Sequence, residues 1–335
     1  MAVTSAYAVY RAHEVRELLD YDGCIAVVRS AMRAFSTDGT PQPLRAIVSL
    51  GPDRLFGLMP GALVNPQGFG AKLLSVYADP HDTGRSRHQG VVVLFDRGSG
   101  AVQCIADAEE VTRIRTAAAS AVATDARARP EAKTLAVFGC GAQAEAHVLA
   151  LSRVRPLETI LVWGRSPQRA HRFVASLEGR VRAALQVCRE GQQAAEAADI
   201  ICTVTASATP VLFGRWVRAG THVNAVGSSH AGPVEIDSEL LLRSRYIVDS
   251  RRSALAAAAE FLAARAAGLI EESAIAPEIG EVLNGTAPGR TAAEQVTLYK
   301  SLGHIVQDLA AAAYVHAKAT YRGQEVILRG EAERA

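Results

Sequence analysis

From residue 133 the chain follows a rhythm that few architectures can accommodate. The apolar runs TLAVFG, TILVWG, DIICTVT, THVNAVG and YIVDS recur through this part, and AQAEAHVLALSRV and SPQRAHRFVASL stand between them with helical spacing. A strand apolar on both sides must be covered on both faces. Parallel neighbours in turn need helical crossovers to bring the chain back. The rhythm therefore specifies a doubly wound parallel sheet, a Rossmann unit centred on residues 133–227.

The turn closing the first of these strands narrows the reading. Gly139-Cys140-Gly141-Ala142-Gln143-Ala144 is a GxGxxA sequence that ends a strand and opens a helix, the setting in which such a motif holds a dinucleotide. Gly139 allows the tight turn, Gly141 lets a pyrophosphate approach the backbone, and Ala144 lets the helix pack against the strand. The free N–H groups at the helix start, around Ala142 and Gln143, face the phosphate charge. Where an NAD site ends its second strand in an acid, this chain has Trp163-Gly164-Arg165-Ser166, with Arg169 one helical turn on. Arginine and hydroxyl groups suit a ribose 2′-phosphate, so Arg165, Ser166 and Arg169 predict NADP(H). The alternative is that the two arginines only solvate a helix start. Ligands bind at the carboxyl ends of such strands. Thr203, Val204 and Thr205 on one strand end, and Val226 on the next, are therefore expected beside the ribose and nicotinamide.

The first 125 residues differ. Residues 13–35 have helical spacing, and β-like segments follow at 45–50, 55–59, 71–77, 90–96 and 101–107, separated by glycine, proline and aspartate. This predicts a smaller α+β domain with a mostly antiparallel sheet. Residues 109–128 read as a connecting helix, 254–267 as an alanine-rich helix, and the tail from about 304 to 330 as one long helix packing back on the first domain. The Rossmann domain then spans 126–303. The net charge of +2 gives no footprint for nucleic acid or an anionic membrane. Five scattered cysteines without a CxxC pair argue against disulfides and a metal site and for a reduced, cytoplasmic setting. The start of the chain lacks the pattern of a signal peptide, and no run of 18 apolar residues is free of charge.

Several stretches in this order resemble the ornithine cyclodeaminase and mu-crystallin family across nearly the whole chain: Gln42-Pro-Leu-Arg45, Leu58-Met-Pro60, Ala71-Lys-Leu73, His88-Gln89, Arg113-Ile-Arg-Thr-Ala-Ala-Ala119, the GCGAQA loop, Asn224-Ala-Val-Gly227 and Tyr299-Lys-Ser-Leu-Gly303. The resemblance implies that the N-terminal region and the C-terminal helix form a substrate and dimerisation domain, and that two copies join as a homodimer. It implies that Arg45, Lys72 and Arg115 bind the carboxylate of an amino or imino acid, with Met59 and Ser229 also on the substrate side. Thr116 and Ser301 join the cofactor set. The residues agree, because Arg45 and Lys72 interrupt apolar runs where a charge needs a partner. Taken singly, each of the three could equally be solvated or ion-paired.

Departures from the family pattern then separate its branches. Cyclodeaminases carry an aspartate two residues beyond NAVG and an acid two residues before Met-Pro; here Ser229 and Gly57 stand there. With the arginine-bearing second strand, these changes resemble the mu-crystallin branch and imply NADPH-dependent reduction of a cyclic ketimine. Lys72 is the first candidate proton donor and His88 the second. The alternatives are a cyclodeaminase or amino-acid dehydrogenase with another base, a condensing synthase, and a non-catalytic binder that keeps the cofactor fold.

Overall fold

The computed structural model describes residues 7–38, 42–52, 54–64, 66–77, 88–275 and 277–332, with backbone only beyond 322. The turn expected after residue 77 lies outside the described residues. The chain forms two compact units. One runs to Arg115 and resumes at Ile305; the other is Thr116–His304. The sequence puts the first boundary near 125. It falls instead inside a continuous helix, where composition carries no signal.

The first unit begins with β1 (Ala8–Tyr10), α1 (Ala12–Leu18) and α2 (Tyr21–Asp38). Residues 13–35 are thus two helices rather than one. The break comes at Asp20, whose carboxylate accepts the Gly23 N–H at 2.7 Å and starts α2. Then come β2 (Ala46–Ser49), β3 (Arg54–Leu63), β4 (Gly68–Tyr77), β5 (His88–Asp96), β6 (Val102–Asp107) and α3 (Ala108–Arg127). The sheet order is β1-β6-β5-β4-β3-β2, antiparallel throughout except that β1 lies parallel to β6. β1 is too short to show a period in the sequence.

The second unit comprises β7 (Thr134–Phe138), α4 (Ala142–Val154), β8 (Thr159–Trp163), α5 (Pro167–Leu177), β9 (Ala184–Val187), α6 (Gly191–Ala197), β10 (Ile200–Thr203), β11 (His222–Ala225), α7 (Ser238–Arg243), β12 (Ser244–Val248), α8 (Arg251–Ala257), α9 (Ala259–Ala266), α10 (Ile279–Leu283) and β13 (Val296–Lys300). Its strands are all parallel, in the order β12-β13-β11-β10-β7-β8-β9. The order reverses between β7 and β10, the point where a doubly wound sheet opens a ligand crevice. Every residue of β10, β11 and β13 is buried, as central strands of a sheet covered on both faces are. The helix expected over 254–267 divides into α8 and α9 at Ala258, which leaves the helical conformation with ψ 95°. This step lets Glu260 turn inward.

The closing helix α11 (Ile305–Ala332) belongs to the first unit and covers one face of its sheet. Leu309 and Ile305 lie where a Cβ at Gly70 or Gly61 would stand. The register puts Met59 opposite Lys72, and Lys72 opposite Val92, on this covered face. Side chains alternate across a sheet, so Val48, Phe56, Leu58, Leu73, Phe69, Val93, Ile105 and Val9 share the other face. Val48, Phe56, Phe69 and Val9 are exposed there, and Phe69 stacks on Phe95 at 5.0 Å between ring centroids.

Candidate active site

In the first unit, two buried cationic side chains meet a carboxylate of α11. Lys72 projects from the middle of β4 and is 4% exposed; Arg115, late in the unit's share of α3, is also 4% exposed. Lys72 Nζ donates to Thr112 Oγ1 at 2.5 Å and to Asp308 Oδ1 at 3.2 Å. Arg115 Nε donates to the same Asp308 oxygen at 2.9 Å, and its Nη1 donates to Gln307 Oε1 at 2.8 Å. Burial lowers the Lys72 pKa to about 8; Asp308 works against that fall, while Arg115 and Arg45 deepen it. Burial would raise the Asp308 carboxyl, but Arg115 and Lys72 outweigh it and hold it below the ordinary range. Arg45 is half-buried just before β2, within electrostatic reach of Lys72. Met59 is buried opposite Lys72.

Two other sequence-selected positions behave differently. His88 is exposed at the start of β5, opposite Val76. It is on the sheet face of Lys72 but four residues further along, roughly 13 Å at strand spacing. The structure therefore does not bring the second proton-donor candidate to the first. Gly57 also faces the covered side, and a Cβ there would lie 3.1 Å from Leu74 Cγ and 3.4 Å from Ile47 Cδ1. Leucine and isoleucine fill the space an acid would need.

The second unit holds the dinucleotide motif. Gly139 adopts φ +131°, and a Cβ on it would meet the Val204 carbonyl oxygen at 3.0 Å; only glycine suits both demands. Gly141 is the N-cap of α4, and a Cβ there would meet nothing within 4 Å. The backbone thus leaves open space beside the free N–H groups of Ala142 and Gln143, a cradle shaped for a phosphate. Gln143 Oε1 and Ser301 Oγ are buried without a partner among the described residues. Unmet polar atoms of this kind suit a polar ligand. Arg165 and Arg169 are exposed beyond β8. Burial raises the Cys140 thiol and the Arg169 charge opposes this, so the guanidinium lies within electrostatic reach of the glycine-rich turn. Ser166 caps α5, accepting the Arg169 N–H at 3.3 Å. Its hydroxyl already serves the helix, and the arginines carry the 2′-phosphate reading.

Thr203, Val204, Thr205 and Val226 stand at the carboxyl ends of β10 and β11, where a residue that sequence reasoning missed holds Thr203, Thr205 and Gly227. Glu235 is 2% exposed. It accepts from Thr203 Oγ1 at 2.9 Å, Thr205 N at 2.5 Å, Thr205 Oγ1 at 2.7 Å and Gly227 N at 2.6 Å. Asp249 does the same one strand over, accepting the Leu302 and Gly303 N–H groups at 2.9 and 2.6 Å. Glu235 was detectable as an acid between Val234 and Ile236, and Asp249 as the acid that closes the run Tyr246-Ile-Val248. Thr116 is buried on α3. Ser229 is half-buried, and its neighbour Ser228 donates to the Pro233 carbonyl.

The profile of the ornithine cyclodeaminase/mu-crystallin family matches residues 6–323. The chain belongs to this family. It is 34% identical over 316 residues to the ketimine reductase mu-crystallin of Mus musculus, covering 93% of this chain and 97% of that protein. It is 31% identical over 317 residues to a Δ1-pyrroline-2-carboxylate reductase of Bacillus cereus, with 94% and 97% covered. A Thermococcus litoralis Δ1-pyrroline-2-carboxylate reductase, solved in complex with NADH and L-proline, superposes with a TM-score of 0.90 at 28% identity, covering 94% of this chain and 98% of that one.

The brace at Glu235 can be tested without any ligand. Glu235→Gln keeps the shape but turns an NH2 group toward N–H and O–H donors. The variant is expected to lose roughly 1–3 kcal/mol of stability, read as a lower midpoint in urea unfolding. An unchanged midpoint would show that the four contacts contribute nothing.

Proposed function

We propose that this protein reduces the C=N bond of a cyclic ketimine carboxylate, such as Δ1-pyrroline-2-carboxylate or Δ1-piperideine-2-carboxylate, to the corresponding amino acid, with NADPH as the reductant. It is an oxidoreductase acting on C=N bonds, in keeping with its relatives' names. The observation carrying the substrate class is the clamp: two buried cations against one carboxylate, with Arg45 adding a third positive group. Such a site lacks one anion, and a substrate carboxylate supplies it. Nε and Nη1 of Arg115 serve Asp308 and Gln307, so Nη2 is the nitrogen it offers to that carboxylate. Lys72 holds the proton for the imine nitrogen, and a protonated imine accepts hydride more readily than a neutral one. Gly139, Gly141, Ala142 and Gln143 hold the pyrophosphate. Arg165 and Arg169 take the 2′-phosphate, while Thr203, Val204, Thr205, Val226, Thr116 and Ser301 line the rest. When bound, the reduced nicotinamide supplies the hydride.

Ser229 and Gly57 leave no acid where cyclodeaminases have one, which favours a preformed imine over ornithine. Imine and 2-oxo acid substrates, with and without amines, are tested by NADPH absorbance. The expected result is oxidation with Δ1-piperideine-2-carboxylate or a related ketimine and no proline from ornithine. Proline and ammonia release from ornithine at a matching rate would refute the reading.

Cofactor choice is a separate matter. Arg165 and Arg169 have no ion-pair partner among the described residues. NADPH is expected to bind about tenfold or more tightly than NADH, the scale of hydrogen bonds to a charged group. Arg165→Ala is expected to remove most of that margin. Equal dissociation constants for the two cofactors in the unmodified protein would contradict it.

We also propose a homodimer, working in the cytoplasm, in keeping with its five free cysteines. The uncovered sheet face bearing Val9, Val48, Phe56 and Phe69 supports self-association, since contiguous exposed apolar surface marks an interaction site. Light scattering is expected to give twice the 35.4 kDa of the chain, and Phe56→Glu to shift it toward monomer. A monomeric unmodified protein at micromolar concentration would rule the dimer out.

A further inference from the structure

We infer that Asp308 is a positioning residue of this enzyme, through which the C-terminal helix keeps Lys72 as an ammonium and aims Arg115. The inference rests on the reading of Lys72 as proton donor, and it assigns a task to a residue outside the carboxylate clamp.

The geometry carries it. Asp308 Oδ1 accepts from both Lys72 Nζ and Arg115 Nε, at 3.2 and 2.9 Å. The carboxylate is wholly buried, and its Oδ2 has no partner among the described residues. A buried carboxylate with an unmet oxygen is costly where only fold stability is at stake. Its placement is explained if two cations must be held at a fixed separation. The groups facing Lys72 are few. Asp308 comes from α11, the Arg115 guanidinium and Thr112 hydroxyl from α3, and Arg45 from the segment before β2. Cys24 on α2 is near Arg115 and Asp308, but burial pushes its thiol far up, so it is neutral. Asp308 is thus the anion opposing burial and two arginines. The Thr112 hydroxyl donates to the Ala108 carbonyl, so it can accept from Lys72 but adds no charge. Arg115 is fixed by the same carboxylate and by Gln307, which leaves its outer edge free.

The sign of the pH dependence follows. A proton donor acts below its own pKa, so activity carried by Lys72 falls as pH rises through about 8. Without the Asp308 charge, that pKa falls and the loss of activity begins at lower pH.

Composition makes this directly measurable. The chain has four lysines, Lys72, Lys133, Lys300 and Lys318, so protein labelled with 13C at lysine Cε gives few signals. The Lys72 signal is the one lost in Lys72→Arg. Titrated without substrate, it is expected to have a midpoint near 8 in the unmodified protein, and about one unit or more lower in Asp308→Asn. The basic limb of kcat/KM against pH should move with it, and Asp308→Glu should bring both back toward their original positions. A structural role alone would lower activity evenly across pH and leave the midpoint in place; that result, in a variant with native near-ultraviolet circular dichroism, overturns the inference. If Asp308→Asn does not fold, Thr112→Val decides, because it removes the other acceptor and keeps Asp308. Its midpoint should stay within about half a unit, and a fall of a full unit would assign the effect to Thr112 instead. Absence of imine turnover in the unmodified protein would refute the proposed activity separately, since the titration needs no substrate.

Discussion

Removing an ion from water costs several kcal/mol unless a partner and hydrogen bonds replace the lost solvation. Both units hold buried charges under that constraint. In the first, Lys72 and Arg115 share Asp308. In the second, Glu235 takes four donors from the ends of β10 and β11, and Asp249 takes donors from the turn after β13. Strands buried on both faces have spent their side chains on packing, so only their ends are left to meet a ligand. Those ends are loops, and loops are mobile unless something fixes their N–H groups. A buried carboxylate does this with one side chain, since each oxygen accepts more than one bond.

The glycine-rich turn meets a different demand. Gly139 is required by the protein itself, because its φ and the nearby Val204 carbonyl exclude a side chain. Gly141 is not required by anything within the described residues. Space there is left open, and a ligand that approaches the backbone closely is its physical explanation. Of two glycines in one motif, the fold thus demands the first and leaves the second unconstrained.

How much of this was legible in the sequence depends on whether a residue's role is local. The alternation of apolar strands and helices announced the doubly wound sheet, and the turn at Gly139 announced the cradle. Both signals lie in contiguous residues. β9 was missed because Ala184–Val187 is short and half-exposed, and β13 because VTLYK follows a long irregular stretch and mixes polar residues into a wholly buried strand. Lys72 and Arg45 were visible as charges in apolar runs, and Arg115 only through the family likeness. Asp308 was not visible, because one acid in a long helix reads as part of a solvated face. Its partners are 236 and 193 residues away. No local pattern encodes such a meeting, and the return of α11 to the first unit creates it.

The chain's two buried lysines show how charge count separates support from chemistry. Lys300 donates to Glu260 at 2.9 Å, and Tyr246 donates to the other oxygen of that carboxylate. Both oxygens of that carboxylate are engaged, and the buried Glu235 carboxylate is within electrostatic reach of Lys300 as well. At Lys72 one carboxylate serves two cations, one of its oxygens is unmet, and a third cation is within reach. A buried cation that already faces carboxylates has no need of another anion, and adding one would cost energy. An unbalanced cluster keeps a standing demand for negative charge, which a protein core does not retain for stability alone. The same residue type in the same degree of burial thus has its carboxylate to itself in one place and shares it with an arginine in the other, and that difference is what the proposed role of Lys72 rests on.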